Sequence, residues 1–155
     1  MAAFVYTGAA LTSGTAWTGT APGGASTPSG THNSGTDISS YVRSVTFTGE
    51  AETQDSTTMG SGGFRAQVVG LKTGSLTIEF NEDVADNLID EIWYGYFGST
   101  VYFDLKVTAS ARGASNPSVV CAAIVTQYGI GGSVGELATK SVTLTTTGAW
   151  TRLTS

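Results

Sequence analysis

Leu76, Ile78 and Phe80 alternate with Ser75, Thr77 and Glu79, and this period of two returns along the chain. Tyr41, Arg43, Val45 and Phe47 alternate with Val42, Ser44, Thr46 and Thr48; Val101, Phe103, Leu105 and Val107 alternate with Tyr102, Asp104, Lys106 and Thr108. Near the end, Val142 and Leu144 alternate with Ser141, Thr143, Thr145 and Thr147 over Thr139 to Thr147. Successive side chains of a strand point to opposite faces, so each segment predicts a strand with one dry face and one wet face. A chain made of such segments must bury one side of a sheet and leave the other to water. The exception is the run Val119 to Val125, apolar at every position and introduced by Pro117, which predicts a central strand within Ser118 to Tyr128.

Composition agrees with that pattern. Only 12% of the 155 residues are charged, Gly reaches 21, and Ser and Thr are abundant, which favours strands and turns over exposed helices. At 40% hydrophobic content the length suits one domain, 1–155, with a core of ordinary size.

One segment changes period. From Asp83 the apolar positions Val84, Leu88 and Ile92, with Ile89 and Trp93 on the flank, recur every three to four residues and predict a helix over roughly Asp83 to Tyr94. Asn81 or Asp83 can cap it, the carboxylates Glu82, Asp83 and Asp86 complement its N-terminus, and Gly95 or Gly98 can end it. The expected fold is mainly β, a β-sandwich or open barrel of about six or more strands with this one α-helix on its flank and long loops.

Two stretches lack a burial pattern. Residues 1–35, above all Gly8 to Gly35, are dominated by Gly, Ala, Ser and Thr with Pro22 and Pro28, and are expected to form an arm or long loop that orders on assembly. Gly49 to Gly63 is acidic in its first half and glycine-rich in its second, and with Phe64 to Val69 reads as a long hairpin or extended loop with an exposed tip.

Charge and reactive residues narrow the function. Twelve Asp+Glu against seven Lys+Arg give a net charge of -5 and a pI near 4.6, which argues against wrapping nucleic acid. No stretch approaches the roughly 18 apolar residues of a membrane span, and Met1 to Phe4 lacks a signal-peptide start, so cytoplasmic synthesis without a membrane partner is expected. The single Cys121 lies in an apolar run and reads as a core residue; a disulfide within the chain is impossible. The single His32 sits in a Ser/Gly/Thr loop segment without a scaffold for a catalytic triad, and one His with one distant Cys is a poor start for a zinc site.

The run Met59 to Phe64 shares only its glycines with a phosphate loop, since neither Gly-Lys-Ser/Thr nor a helix follows. Glu79, Glu82, Asp83, Asp86, Asp90 and Glu91 lack the alternate-residue spacing of a calcium loop and read as helix caps and a solvated face. Trp93, Tyr94, Tyr96 and Phe97 could form a sugar platform, although core packing accounts for them better. Neither a catalytic residue, a cofactor nor a metal is expected, and an enzyme is the least favoured class.

A resemblance adds to this. Asp37 to Val42, Glu52 to Gly60 and Gly70 to Phe80 occur in order, followed by the acidic helix to Trp93, Asn116-Pro117, Gly132 to Glu136 and the ending Gly148 to Arg152. In that succession the chain resembles the major tail tube proteins of siphophages, particularly those infecting actinobacteria. The resemblance implies a virion structural protein whose copies form hexameric rings stacked into a hollow tube that delivers DNA, assembled in the host cytoplasm. Its partners would be itself, the tail terminator, tape-measure and distal tail proteins, and DNA only in transit.

By the same analogy Glu50, Glu52, Asp55 and Glu79 are expected to face the lumen, where acidic groups let DNA slide. Thr57, Met59, Gly60, Gly62 and Phe64 are expected in a loop that reaches a neighbouring subunit or ring. The inner tube of a contractile tail or injection system and a capsid-decorating protein are structural alternatives. A carbohydrate-binding β-sandwich is the alternative from a different class.

Overall fold

The computed structural model describes residues 10–14, 17–18, 21–23, 31–32, 36–81 and 89–154. Most of them lie in one eight-stranded antiparallel sheet. Its strands are β1 (Ala10–Gly14), β4 (Thr36–Asp37), β5 (Val42–Asp55), β6 (Gln67–Asn81), β7 (Thr100–Lys106), β8 (Ser118–Gly131), β9 (Thr139–Thr146) and β10 (Thr151–Leu153), in the order β4-β1-β7-β8-β9-β6-β5 with β10 beside β8. A separate pair joins β2 (Trp17–Thr18) to β3 (Thr31–His32). Among the described residues no helix is long and apolar enough to cross a membrane.

The alternation places the core where it is expected. Leu76, Ile78 and Phe80 of β6, Val142 and Leu144 of β9, Cys121, Ala123 and Val125 of β8, and Val101 and Phe103 of β7 are all buried on one side. Register keeps these sets together: Leu76 faces Leu144, Ile78 faces Val142, and Phe103 faces Cys121. A one-residue slip would turn each set to water, so the pattern itself holds the register.

The sheet curls strongly about this core. In the strand order β7 and β5 are separated by three other strands, which in a flat sheet would set them about 19 Å apart. Yet the Phe47 and Phe103 rings lie 6.2 Å apart, and Trp150 meets Phe47 edge-on at 5.7 Å. The result is an open, half-closed barrel with its apolar residues on the concave side.

Helix α1 (Ile89–Tyr96) is one lid of that core. Trp93 is fully buried, with its ring 5.6 Å from Phe80 and 5.9 Å from Tyr96. Immediately after the helix, Gly98 takes φ +75° and its N–H bonds to the Val125 carbonyl at 3.0 Å, which ends the helix and hands the chain to the sheet. The expected beginning of the helix, from Asp83 to Leu88, lies outside the described residues. Asn81, a candidate cap, is the last residue of β6.

Within the expected arm, Ala10–Gly14 pairs with β7 from Ala10↔Lys106 to Gly14↔Tyr102. Backbone pairing needs no apolar pattern, which is why this strand has no signature in the sequence. The rest of 1–35 beyond the strands above and residues 21–23 lies outside the described residues.

The strand beside β8 is interrupted by a tight crossing. After Thr146↔Ala123 and the 2.9 Å bond from Thr147 N–H to the Ala122 carbonyl, the chain leaves β8 at Gly148 and rejoins it at Thr151↔Val120. Gly148 has φ +83°, and a Cβ there would lie 2.0 Å from the carbonyl oxygen of Gly23, itself at φ +92°. Two backbones meet where neither residue can carry a side chain. Gly148→Ala should therefore lower stability in urea by at least about 2 kcal/mol, through strain plus forced separation. Gly63→Ala, at φ +85° with nothing within 4 Å, should cost about 1 kcal/mol from backbone conformation alone. Equal losses for the two would remove the crossing from this account.

Candidate functional site

Over β5, β6 and β9 the wet side of the sheet is a polar surface, whereas on β8 that side carries Val120, Ala122 and Ile124. On β5 the residues opposite in direction to Val45 and Phe47 are Ser44, Thr46, Thr48, Glu50 and Glu52, and on β6 they are Thr73, Ser75, Thr77 and Glu79. Thr145, Thr143 and Ser141 of β9 stand opposite Ser75, Thr77 and Glu79 and extend the surface by a strand. The Ser44 hydroxyl donates to Glu79 Oε2 at 2.9 Å across the directly opposed pair. Glu50, Glu52 and Glu79 thus share one face. Asp55 has the parity of Val45 and Phe47, because β5 has no extra residue between Ser44 and Asp55, and it falls on the other side.

Beyond Gly49 and Gly74 the hairpin leaves the core. Ala51 to Asp55 and Gln67 to Val69 are exposed on both faces, although their backbones stay paired. An extra residue on β6, where Ala51↔Lys72 gives way to Thr53↔Val69, bulges the ribbon beside Glu52. Exposed Leu71, Val69 and Val68 give this ribbon an apolar character that water does not favour. The sequence left open a long hairpin or an extended loop from Gly49; the hairpin forms, because Thr, Gln and Glu pair well enough through their backbones without burial to mark them.

The tip is ordered by its own hydrogen bonds. Asp55 Oδ1 accepts from the Thr57 N–H at 2.8 Å, and the Thr57 hydroxyl and amide hold the Asp55 carboxyl below the usual range. Ala66 N–H donates to Thr57 Oγ1 at 3.0 Å, and Ser56 N–H donates to the Ala66 carbonyl at 2.8 Å. A single 3-10 turn, Met59–Ser61, follows Thr58, whose N–H donates to Ser61 Oγ at 3.1 Å. Gly62 and Gly63 take φ +60° and +85°, which turns the chain back into Phe64. The expected loop residues Thr57, Met59, Gly60, Gly62 and Phe64 are therefore together at one exposed tip, with Met59 and Phe64 standing out from it.

At the opposite end of the sheet, where β5 begins and β6 ends, lies the β8–β9 connection. Gly131↔Thr139 and Asn81↔Thr139 fix it there. Residues 132–138 are all exposed, including Val134 and Leu137, and Gly132, Ser133, Glu136 and Leu137 of this connection line, with Arg43, a groove of about 500 Å³. Gly132 to Glu136 entered the sequence reading through the family resemblance and not as site residues; Val134 and Leu137 amid glycines were the local signal of this surface.

A buried cation ties the helix to the sheet. Lys140 of β9 has a fully buried side chain, and its Nζ donates to Asp90 Oδ1 of α1, which also accepts from the Tyr128 hydroxyl. The Lys140 Nζ lies 5.0 Å from the centre of the Tyr128 ring. The bonds from Lys140 and then Tyr128 hold the Asp90 carboxyl below its ordinary 3.8, while burial first, and the Asp90 bond second, push the Tyr128 phenol up. Asp90, read from sequence as part of a solvated face, is a structural partner.

The other reactive groups are placed as follows. Cys121 is buried, and burial pushes its thiol up to about 12, so it carries no thiolate at neutral pH. No group of three His, Cys, Asp or Glu that could hold a metal occurs among the described residues. Of the aromatic quartet, Trp93 is buried and Tyr96 half-buried, so only Tyr94 and Phe97 face solvent.

A carboxylate whose folded pKa is lowered stabilises the fold above its unfolded pKa, and that gain is lost as pH falls through the folded value. Asp90→Asn should thus unfold at lower urea than the unsubstituted chain at pH 7, and the gap should close as pH drops below 3.8. A gap unchanged down to pH 2 would mean that the Asp90 charge is not what holds the helix.

Comparison with known proteins supplies the family. The profile of the family described as phage tail tube protein matches residues 30–152. A chain of the virion of a native gene transfer agent particle is 21% identical, with a TM-score of 0.61 over 77% of this chain and 88% of its own. The tail of an empty gene transfer agent particle, refined with C6 helical symmetry, gives 0.62 at the same identity and coverage. The tail tube of SPP1 gives 0.65 at 9% identity over 99% of this chain and 80% of its own. No curated protein sequence matches. The structural likenesses establish the shared fold, and the profile spans most of the chain: it belongs to the phage tail tube protein family.

Proposed function

We propose that this tail tube family member builds the tube by closing into hexameric rings and stacking them, with the Ser/Thr/Glu face of the sheet turned to the lumen. The observation that carries the proposal is that one curled sheet has a dry concave side, a polar opposite side and an open edge. Among the described residues β5 hydrogen-bonds to β6 alone, so its outer edge is unpaired over Val42–Asp55. An exposed edge of that length is a template for another chain, and a closed ring removes it. The C6 symmetry of the gene transfer agent tail, whose subunit has this fold, supports six copies.

Glu50, Glu52 and Glu79 then face the channel, with hydroxyl-bearing neighbours on three adjoining strands. Phosphates are repelled by the carboxylates and find few cations to grip, so DNA passes without the counterion release that would hold it. Asp55, on the other side of the ribbon, belongs to the tip and not to this lining. The ribbon beyond Gly49 contacts a neighbouring copy, since an isolated two-stranded hairpin is only marginally stable in water. Partners at the tube ends are the tail terminator and distal tail proteins, the tape-measure protein fills the lumen before DNA, and assembly takes place in the host cytoplasm.

Electron microscopy of the purified protein, concentrated alone, should show hollow filaments with six-fold rings. Small monodisperse particles at every concentration would overturn the proposal. In hydrogen exchange, backbone amides of 50–72 should exchange rapidly in dispersed protein and become protected in filaments, whereas the β6–β9 core should be protected in both.

A further inference from the structure

Of the seven Lys and Arg residues, Arg43 alone lies on the wet face of β5, β6 and β9. Arg65 sits at the tip beside Asp55, Arg112 pairs with Asp104, and Lys140 pairs with Asp90. Lys72 adjoins Thr73 and so points to the opposite side of β6, while Lys106 and Arg152 belong to β7 and β10. Arg43 is exposed and enters no ion pair among the described residues. It occupies the irregular step of β5 between Val42↔Phe80 and Ser44↔Glu79, where one extra residue lets Arg43 and Ser44 both address the wet side.

Beside Arg43 the face is cut down to backbone. Gly129 and Gly131 of β8 stand opposite Ser141 and Thr139 of β9, and a Cβ on Gly129 would lie 3.2 Å from the Ser141 hydroxyl oxygen. With Arg43 and Glu79 these four residues line a cleft of about 290 Å³. It offers an anion the guanidinium fork of Arg43 and two hydroxyls. Two carboxylates stand near: Glu79 in the wall, its Oε2 accepting from the Ser44 hydroxyl at 2.9 Å, and Glu136 in the adjoining groove. The guanidinium therefore attracts a phosphate that the carboxylates prevent it from holding tightly.

We propose that Arg43 is the phosphate-contacting residue of the lumen, meeting the phosphodiester backbone of DNA in transit at this cleft. The proposal rests on the reading that this face lines the channel of a six-membered ring; each ring then presents six guanidinium groups at one level. Glu50 lies seven residues further along β5, about 23 Å away, so a level that attracts the backbone alternates with one that repels it. That separation exceeds the roughly 8 Å over which charges act at physiological salt, which keeps the two levels electrically distinct. One weak contact level per ring gives the passing backbone a place to pause without arresting it.

Titration of the dispersed protein with a short DNA duplex at low salt, followed by nuclear magnetic resonance, tests the contact. The side-chain N–H signal of Arg43 and the amide signals of Gly129 and Gly131 should shift, and a tenfold rise in salt should weaken binding about eightfold, the dependence of one phosphate contact. Arg43→Gln should abolish the shifts and Glu79→Gln should tighten binding severalfold, with thermal midpoints unchanged at these exposed positions. Inorganic phosphate at the same phosphate concentration should give smaller shifts; equal ones would make this a site for free anions and overturn the assignment to DNA. The placement of the face is read separately, by a gold cluster coupled to Thr77→Cys in the middle of it, Cys121 being buried. The gold should lie along the axis of filaments in electron micrographs. Gold on the axis without duplex-dependent shifts at Arg43, or shifts that survive Arg43→Gln, overturns the contact and leaves the lumen reading standing. Gold on the outer wall, or no filaments at any concentration, overturns the lumen reading and takes the passage of DNA by Arg43 with it.

Discussion

Everything else in this molecule depends on the contact between Phe47 and Phe103 across the mouth of the curled sheet. Sheets twist because strands twist, but twist alone does not bring the first and fifth of five adjoining strands within a ring's width. Aromatic packing on the concave side, with Trp150 edge-on to Phe47, rewards the curl by removing large rings from water. Gly49 makes room for that arrangement, since a Cβ there would lie 2.9 Å from the Trp150 ring. The same curl turns the polar face of β5, β6 and β9 outward, so the core and the proposed lumen lining are two sides of one packing decision.

The Lys140 cluster shows how the helix is kept in place beside that core. A buried ammonium is costly unless paired, and its partner here comes from a different element, so the charge favours only the docked position of α1. Trp93 supplies the apolar side of the same attachment against Phe80. Removing the carboxylate therefore disturbs an attachment between elements more than it disturbs either element alone.

Much of this was legible in the sequence, for a physical reason. Where one strand face is buried and the other wet, the period of two is enforced residue by residue, and β6, β7, β9 and the start of β5 can be read directly. The apolar run at Val119 to Val125 marked the central strand for a related reason: consecutive residues Val120 to Ala123 of β8 are buried, so both its faces are dry there. The distal half of the β5–β6 ribbon could be read only as a hairpin or an extended loop, and the strand Ala10–Gly14 was not legible, because their order comes from backbone bonds and no dry face imprints a pattern. The acidic candidates separated only when the register was known: Glu50, Glu52 and Glu79 share a face that Asp55 does not. The Lys140–Asp90 pair joins residues fifty positions apart, and long-range ion pairs leave no local mark.

The distribution of charge bears on how such a subunit stays dispersed before it assembles. A chain with exposed apolar tips and an open edge strand is at risk of random association, and a net charge of -5 on 155 residues is a modest defence. Three carboxylates, Glu50, Glu52 and Glu79, fall on the wet face, so the repulsion they supply acts mainly between copies that approach face to face. Copies that meet edge to edge or end to end escape most of it, because screening at physiological salt confines each charge to about 8 Å. Uneven placement of few charges thus selects among encounters, suppressing sheet-on-sheet stacking while leaving open the two directions in which a ring and a tube grow.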